Sequence, residues 1–206
     1  MEIALIALCY LVGSIPVAWI VVKLVTGTDI RTLGSGNVGV MNTALSVTRW
    51  AALLVFVGEA TKGALAVFLA RRLGVSDITL GLAVVAAVAG TRWSVWMGGA
   101  GGRGNTTGVA ALLLLAWGAV ALSLVVWISA RLLARSSFWA TRLWILSLPV
   151  TLFLVTRSLA FAGWGAALSL IYLSTHDSVT DDHTMIKDNW PNLWAFLSGP
   201  PRRTRP

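Results

Sequence analysis

The chain has 206 residues, 57% hydrophobic and 12% charged, with a net charge of +8 and a mean hydropathy of +0.80. Charge this sparse, with apolar residues in long runs rather than periodic stripes, excludes an ordinary soluble domain and points to membrane spans. The single cysteine, Cys9, excludes an internal disulfide and a thiolate metal site, and basic residues that flank apolar runs argue for head-group anchoring over nucleic-acid binding.

The first segment, "MEIALIALCYLVGSIPVAWIVVKLV", starts with an acidic charge, Glu2, and stays apolar to Val25. It is read as a retained span rather than a signal peptide, with Gly13 and Pro16 as kink positions. A polar loop follows from Thr26 to Arg49. Further spans are expected at Trp50–Ala70, Ile78–Met97 and Thr107–Ala130. A glycine-rich loop, Gly98–Thr106, separates the last two. "RLLARSSFWATR", Arg131–Arg142, reads as an amphipathic interfacial connector. Leu143–Leu173 is too long for one upright helix at 1.5 Å per residue; it is either one tilted span or two helices meeting near Arg157. The last part, Ser174–Pro206, is polar and then tryptophan-rich, as in a segment lying along the membrane surface.

The expected architecture is thus an all-α integral membrane bundle of five to seven transmembrane helices, with polar glycine-rich loops on its cytoplasmic face. Residues 1–175 form the membrane domain and 176–206 a cytoplasmic or interfacial tail. Placing the N-terminus outside puts the first loop, the glycine-rich loop and the tail together on the cytoplasmic side. Lys23, Arg31, Arg49, Arg92, Arg103, Lys187, Arg202, Arg203 and Arg205 fall on that side. Arg71, Arg72, Arg131, Arg135 and Arg142 are assigned to the other, and the positive-inside bias favours this orientation.

Two loops carry the chemistry. "GSGN", Gly34–Asn37, and "GGRGNTTG", Gly101–Gly108, combine glycines, whose backbone N–H groups can converge on an anion, with hydroxyl and amide side chains. Arg103 adds a planar cation suited to phosphate, and the second loop leads into a helix N-terminus. Two such loops on one face favour a phosphate site over two tight turns. The nucleotide P-loop is excluded, since its Gly-Lys-Ser/Thr core is missing. In "GEATKG", Gly58–Gly63, Glu59 and Lys62 share a helix face. They either lock helix packing as a self-neutralising pair, or Lys62 holds an anionic substrate that Glu59 orients. His176 and His183 stand in an aspartate-rich linker, read as solvated. No metal and no cofactor are expected.

The sequence resembles the bacterial acyl-phosphate:glycerol-3-phosphate acyltransferase family, PlsY. The resemblance rests on "GSIP" (Gly13–Pro16), on "DIRTLGSGNVGVMN" (Asp29–Asn42), on Glu59–Gly63, and on "GGRGNTT" (Gly101–Thr107), with a fainter match at Asn189–Pro201. It implies about seven membrane helices and a metal-independent transfer of an acyl group from acyl phosphate to glycerol 3-phosphate. The product would be lysophosphatidic acid, in phospholipid biosynthesis at the cell inner membrane. On this reading Ser35 and Arg103 are catalytic. Gly34, Gly36, Asn37, Asn42, Lys62, Gly102, Gly104, Thr107 and Asn192 bind substrate. The partners are acyl phosphate, glycerol 3-phosphate or a related phosphate ester, and membrane lipids. The chain departs from the family pattern at Leu45, Thr91, Arg103, Asn189 and Pro201, which marks it as divergent. The alternative is a non-catalytic membrane subunit that binds a lipid phosphate or a partner protein.

Overall fold

The computed structural model describes residues 1–175, and these form an all-helical bundle. Its helices are α1 (Glu2–Ser14), α2 (Val17–Thr26), α3 (Val40–Ser46), α4 (Arg49–Arg72), α5 (Asp77–Arg92), α6 (Asn105–Ala134), α7 (Ser137–Thr156) and α8 (Leu159–Leu173). Two short 3₁₀ turns, Ile30–Thr32 and Val95–Met97, lie in the loops after α2 and α5. Five helical stretches, with α1 and α2 taken together, are long and apolar enough to cross a membrane, and α8 is a shorter apolar helix.

Three of the crossings are broken, and each break leaves backbone carbonyls that hydrocarbon cannot satisfy. Pro16 has no N–H, so α1 ends at Ser14 and Ile15 turns extended (φ −58, ψ 116). The Gly13 carbonyl is then taken by Lys62 Nζ (3.1 Å) and Thr91 Oγ1 (3.1 Å), and the Ser14 carbonyl by Ser94 Oγ (2.5 Å). In α7, Pro149 cannot donate to Ile145. The Ser169 hydroxyl of α8 donates to that carbonyl instead, at 2.6 Å. The third break is at Ala116 (φ −153, ψ 60) inside α6, where Arg71 donates to the nearby Leu114 carbonyl at 3.1 Å.

The Ala116 break changes the topology. Leu114 lies beside Arg71, at the far end of α4. Beyond the break the chain runs back along α7, with Ser123 bonded to Thr151 and Trp127 to Thr141. The Trp144 ring stacks on Tyr172 (6.0 Å), whose hydroxyl abuts Gly108 near the start of α6. A straight α6 would hold Gly108 and Trp127 nearly 30 Å apart, so these contacts require a reversal. Residues 105–115 and 117–134 are therefore two arms. With α1–α2, α4, α5, α7 and α8 they make seven helical segments packed in one bundle.

Three expectations are corrected by this. The span expected at Thr107–Ala130 is a re-turning pair of arms, because a non-helical Ala116 carries no sequence mark. The connector expected over Arg131–Arg142 shrinks to Arg135 and Ser136. Arg135 closes the turn in the left-handed region (φ 50), and Ser136 accepts from the Trp139 N–H to cap α7. Finally, Arg131, Arg135 and Arg142 lie at the same end of the bundle as the two glycine-bearing loops, not at the opposite end. The open choice over Leu143–Leu173 resolves into two helices that meet at Arg157, also left-handed (φ 55).

Close backbone approach holds the first half of the bundle together. A Cβ on Gly13 would strike the Ala87 carbonyl, one on Gly90 the Tyr10 carbonyl, and one on Gly63 the Thr107 carbonyl. Small residues at such crossings let membrane helices pack backbone to backbone. The second half is instead a side-chain core built on Leu112, Ile145, Leu148, Leu152, Leu168 and Tyr172.

Candidate phosphate-binding cavity

The loop between α2 and α3 is shaped mainly by one amide. Asn42 is fully buried. Its Oδ1 accepts from the Ser35 N–H (3.1 Å) and the Ser46 hydroxyl (3.1 Å). Its Nδ2 donates to the carbonyls of Leu33 (2.9 Å) and Asn37 (2.9 Å), with Ile30 at 3.4 Å. Gly34 (φ +52) packs so tightly that a Cβ would meet Asn42 Oδ1 and Ser46 Oγ. At the start of the loop Asp29 accepts from the Arg31 backbone (2.9 Å) and pairs with its guanidinium (2.7 Å). These bonds from Arg31 hold the Asp29 carboxyl well below the usual carboxylate range. The carboxylate form is therefore the one that folds this turn, and the turn's contribution is lost only as pH falls into strongly acidic conditions.

The second loop is fastened to the end of α5. Gly101 N donates to the Arg92 carbonyl (3.0 Å) and Gly102 N to the Thr91 carbonyl (2.9 Å). The two loops then touch, since a Cβ on Gly102 would strike the Val38 carbonyl. Gly104 takes the left-handed conformation (φ 77) that starts α6.

Between the loops lies a cavity of about 300 Å³. One wall is Asn37, Val38, Gly39, Val40 and Met41. The other is Arg103, Gly104, Asn105 and Thr106. Thr91 and Glu59 line it as well. The first turn of α6 has N–H groups without an intrahelical acceptor, and its dipole end faces the same space. A guanidinium beside a helix N-terminus is suited to a phosphate.

A buried polar network adjoins the cavity. Glu59 and Lys62 are 5% and 4% exposed. Lys62 Nζ donates to Glu59 Oε1 at 2.8 Å, and Thr107 Oγ1 donates to Glu59 Oε2 at 3.1 Å. Thr91 Oγ1 sits 3.4 Å from Thr107 Oγ1. Four elements, α1, α4, α5 and α6, are tied at this point.

Of the residues expected to form the site, Asn37, Arg103 and Gly104 line the cavity. Ser35 does not; its half-buried hydroxyl lies 3.5 Å from the Asn37 N–H. Gly34, Gly36 and Gly102 shape the loops without lining it. Asn42, Lys62 and Thr107, expected to bind substrate, stand outside the cavity lining and make internal bonds. Asn42 has its donors and acceptors committed to the loop, the Lys62 ammonium is bonded to Glu59 and Gly13, and the Thr107 hydroxyl is held by Glu59 and Thr91. Asn192, His176 and His183 lie outside the described residues. Glu59, expected either to lock helix packing or to orient substrate, lines the cavity, and Thr91, noted only as a departure from the family pattern, lines it too. Spacing alone did not show which of the Glu59–Lys62 pair faces open space.

A second, mostly apolar groove is lined by Ile15, Pro16, Trp19, Ile20, Trp96 and Met97, with Arg31 beside them.

Helical segments broken at Pro16, Ala116 and Pro149, with a polar, arginine-bearing cavity between two loops at one end, define an integral membrane protein with a candidate ligand site on one face. The family model described as glycerol-3-phosphate acyltransferase matches residues 3–181, and the chain belongs to that family. It is 36% identical over 181 residues to a glycerol-3-phosphate acyltransferase of Synechococcus sp. (strain CC9902), covering 86% of this chain and 88% of the relative. The corresponding protein of Gluconobacter oxydans (strain 621H) is 38% identical over 130 residues, 62% of each chain. In fold, the chain is similar to the crystal structure of PlsY (YgiH), an integral membrane glycerol 3-phosphate acyltransferase, in its glycerol 3-phosphate form. The TM-score is 0.72 at 23% identity, covering 99% of this chain and 96% of that one. Its lysophosphatidic acid form gives 0.70 at 22%, over 99% and 95%.

Proposed function

We propose that this protein is a membrane acyltransferase that moves an acyl group from acyl phosphate to glycerol 3-phosphate, or to a closely related phosphate ester, giving lysophosphatidic acid. The observation that carries this reading is the meeting of Arg103 and the α6 N-terminus with the Asn37–Met41 wall in one cavity. An acyl phosphate is an activated mixed anhydride, so a strong protein nucleophile is unnecessary. The acceptor hydroxyl oxygen bonds to the acyl carbon, the bond from that carbon to the phosphate oxygen breaks, and phosphate leaves with the electron pair. The hydroxyl proton departs to the leaving phosphate or to solvent. The protein's contribution is alignment and charge stabilisation, with Arg103 holding phosphate. Ser35, in the same loop as Asn37, stays within the proposal as a residue that meets substrate. The apolar groove beside Arg31 suits the acyl chain.

The orientation belongs to the same proposal. Among the described residues, Lys23, Arg31, Arg49, Arg92, Arg103, Arg131, Arg135 and Arg142, eight cations, lie at the cavity end of the bundle, and Arg71, Arg72 and Arg157, three, lie at the other. That imbalance supports a cytoplasmic cavity and an N-terminus outside. Residues 1–175 would be the catalytic membrane domain and 176–206 its cytoplasmic tail.

The test is product identification. Purified full-length protein given acyl phosphate and a panel of acceptors should release one phosphate per lysophosphatidic acid, with glycerol 3-phosphate preferred. No product with any acceptor, together with a stoichiometric co-purifying partner, would replace this reading with that of a non-catalytic subunit.

A further inference from the structure

Glu59 is the only carboxylate among the described residues that line the cavity. It projects from α4 and is bonded to Thr107 in the first turn of α6. A carboxylate offers about four acceptor positions. Lys62 takes one at 2.8 Å on Oε1, and Thr107 takes one at 3.1 Å on Oε2. Glu59 lines the cavity, so acceptor capacity is left for a ligand there. Thr91, beside it, commits its hydroxyl proton to the carbonyl of Gly13 or Ala87, each at 3.1 Å, and so also presents oxygen.

The cavity is therefore of mixed character. Arg103 and the α6 N-terminus present cationic and N–H groups. Glu59 and Thr91, held against the first turn of α6 through Thr107, present acceptor oxygens. A ligand that matches both sets carries a phosphate and a hydroxyl donor a short distance apart. At about 300 Å³ the space is at the small end of ligand pockets, which fits a short polyol monophosphate.

We propose that Glu59 is a specificity-determining residue that accepts a hydrogen bond from an alcohol of the acceptor substrate. This rests on the acyltransferase reading above. In this role Lys62 and Thr107 are positioning residues: they fix the carboxylate rotamer and leave its free acceptor positions aimed at the ligand. A buried acceptor that a substrate fails to pair is costly, so the same carboxylate rejects phosphate esters that lack the hydroxyl.

The experiment compares glycerol 3-phosphate with propyl phosphate, which has the phosphate and the three-carbon arm but no hydroxyl. The full-length protein is assayed in detergent with acyl phosphate as donor. KM is measured for glycerol 3-phosphate, and Ki for propyl phosphate as a competitor. Two variants are used. Glu59→Asp keeps the charge but withdraws the oxygens. The double variant Glu59→Gln with Lys62→Met leaves no unpaired buried charge, in case a single change fails to fold. The expected result is a KM for glycerol 3-phosphate raised roughly 10- to 100-fold, with Ki for propyl phosphate and KM for acyl phosphate unchanged within about twofold. If the glycerol 3-phosphate KM and the propyl phosphate Ki rise by the same factor, Glu59 acts only through the position of α6, and the proposal is overturned. Unchanged values for both ligands overturn it too. If the wild-type protein makes no product, the acyltransferase reading falls. The binding ratio of the two ligands, read by calorimetry on wild type and variants, then decides the role of Glu59 separately.

Discussion

The bundle has two halves that solve the same membrane problem differently. In the first, from α1 to the first arm of α6, polar groups are concentrated: the carbonyls freed at Pro16, the Glu59–Lys62 pair, and the threonines at 91 and 107. They satisfy one another across four elements, and glycines bring the backbones close enough for them to do so. In the second, from the return arm of α6 through α8, polar contacts are isolated. Ser169 covers the one carbonyl freed by Pro149, Ser123 meets Thr151 at 3.0 Å, and packing does the rest. The Tyr172 hydroxyl and Trp164 Nε1 are buried without a hydrogen-bond partner among the described residues. The first half is a preorganised site with its support; the second is a wall.

The contrast predicts a ranking of mutational effects. The largest should come from stranding a buried charge. Lys62→Met should cost about 3–5 kcal/mol in unfolding of the detergent-solubilised protein, and adding Glu59→Gln should recover much of it. A double variant no more stable than the single one would mean that the pair is not coupled. Next is Gly63→Ala, whose Cβ meets the Thr107 backbone. Overpacking there should cost about 1–3 kcal/mol, and a thermal melt that matches wild type would deny the close α4–α6 contact.

The second half should respond more weakly. Ser169→Ala orphans the Ile145 carbonyl and should lower stability by about 1–2 kcal/mol, with the acceptor KM unaltered. Tyr172→Phe removes a buried hydroxyl that has no partner among the described residues, so stability should hold or rise by up to about 1 kcal/mol. The same change should also lessen the cost of Gly108→Ala, because the most severe clash there is with that hydroxyl, the ring carbon at 3.1 Å and Val88 at 3.3 Å remaining tight. A marked loss of stability in Tyr172→Phe would reveal a partner for the hydroxyl and blur the contrast between the halves.

Legibility in the sequence follows the same division. In the first half, function needs particular residue types at fixed spacing, so "DIRTLGSGN" and "GGRGNTT" stand out against the apolar background. They identified the two loops, their shared face and Arg103. What the sequence could not show was direction. Asn42 and Lys62 look like ligand-binding groups, yet both turn inward to satisfy the protein's own backbone. Glu59, read as one member of a pair, also faces the cavity. In the second half, hydropathy reports burial in lipid but not the path of the chain. Ala116 is an unremarkable residue in a run of leucines and alanines, so nothing announced that α6 turns back there. The same reversal moves Arg131, Arg135 and Arg142 to the cavity end. Pro149 was visible, but its effect is absorbed by Ser169, twenty residues further on.

The central claim is that Arg103 and the helix start beside it hold the acceptor's phosphate. The most direct test is kcat/KM for glycerol 3-phosphate, with acyl phosphate saturating, in wild type and Arg103→Ala. Loss of a charge-assisted phosphate contact should lower it roughly 100-fold in protein that remains folded. A folded Arg103→Ala protein with wild-type kcat/KM would contradict the account.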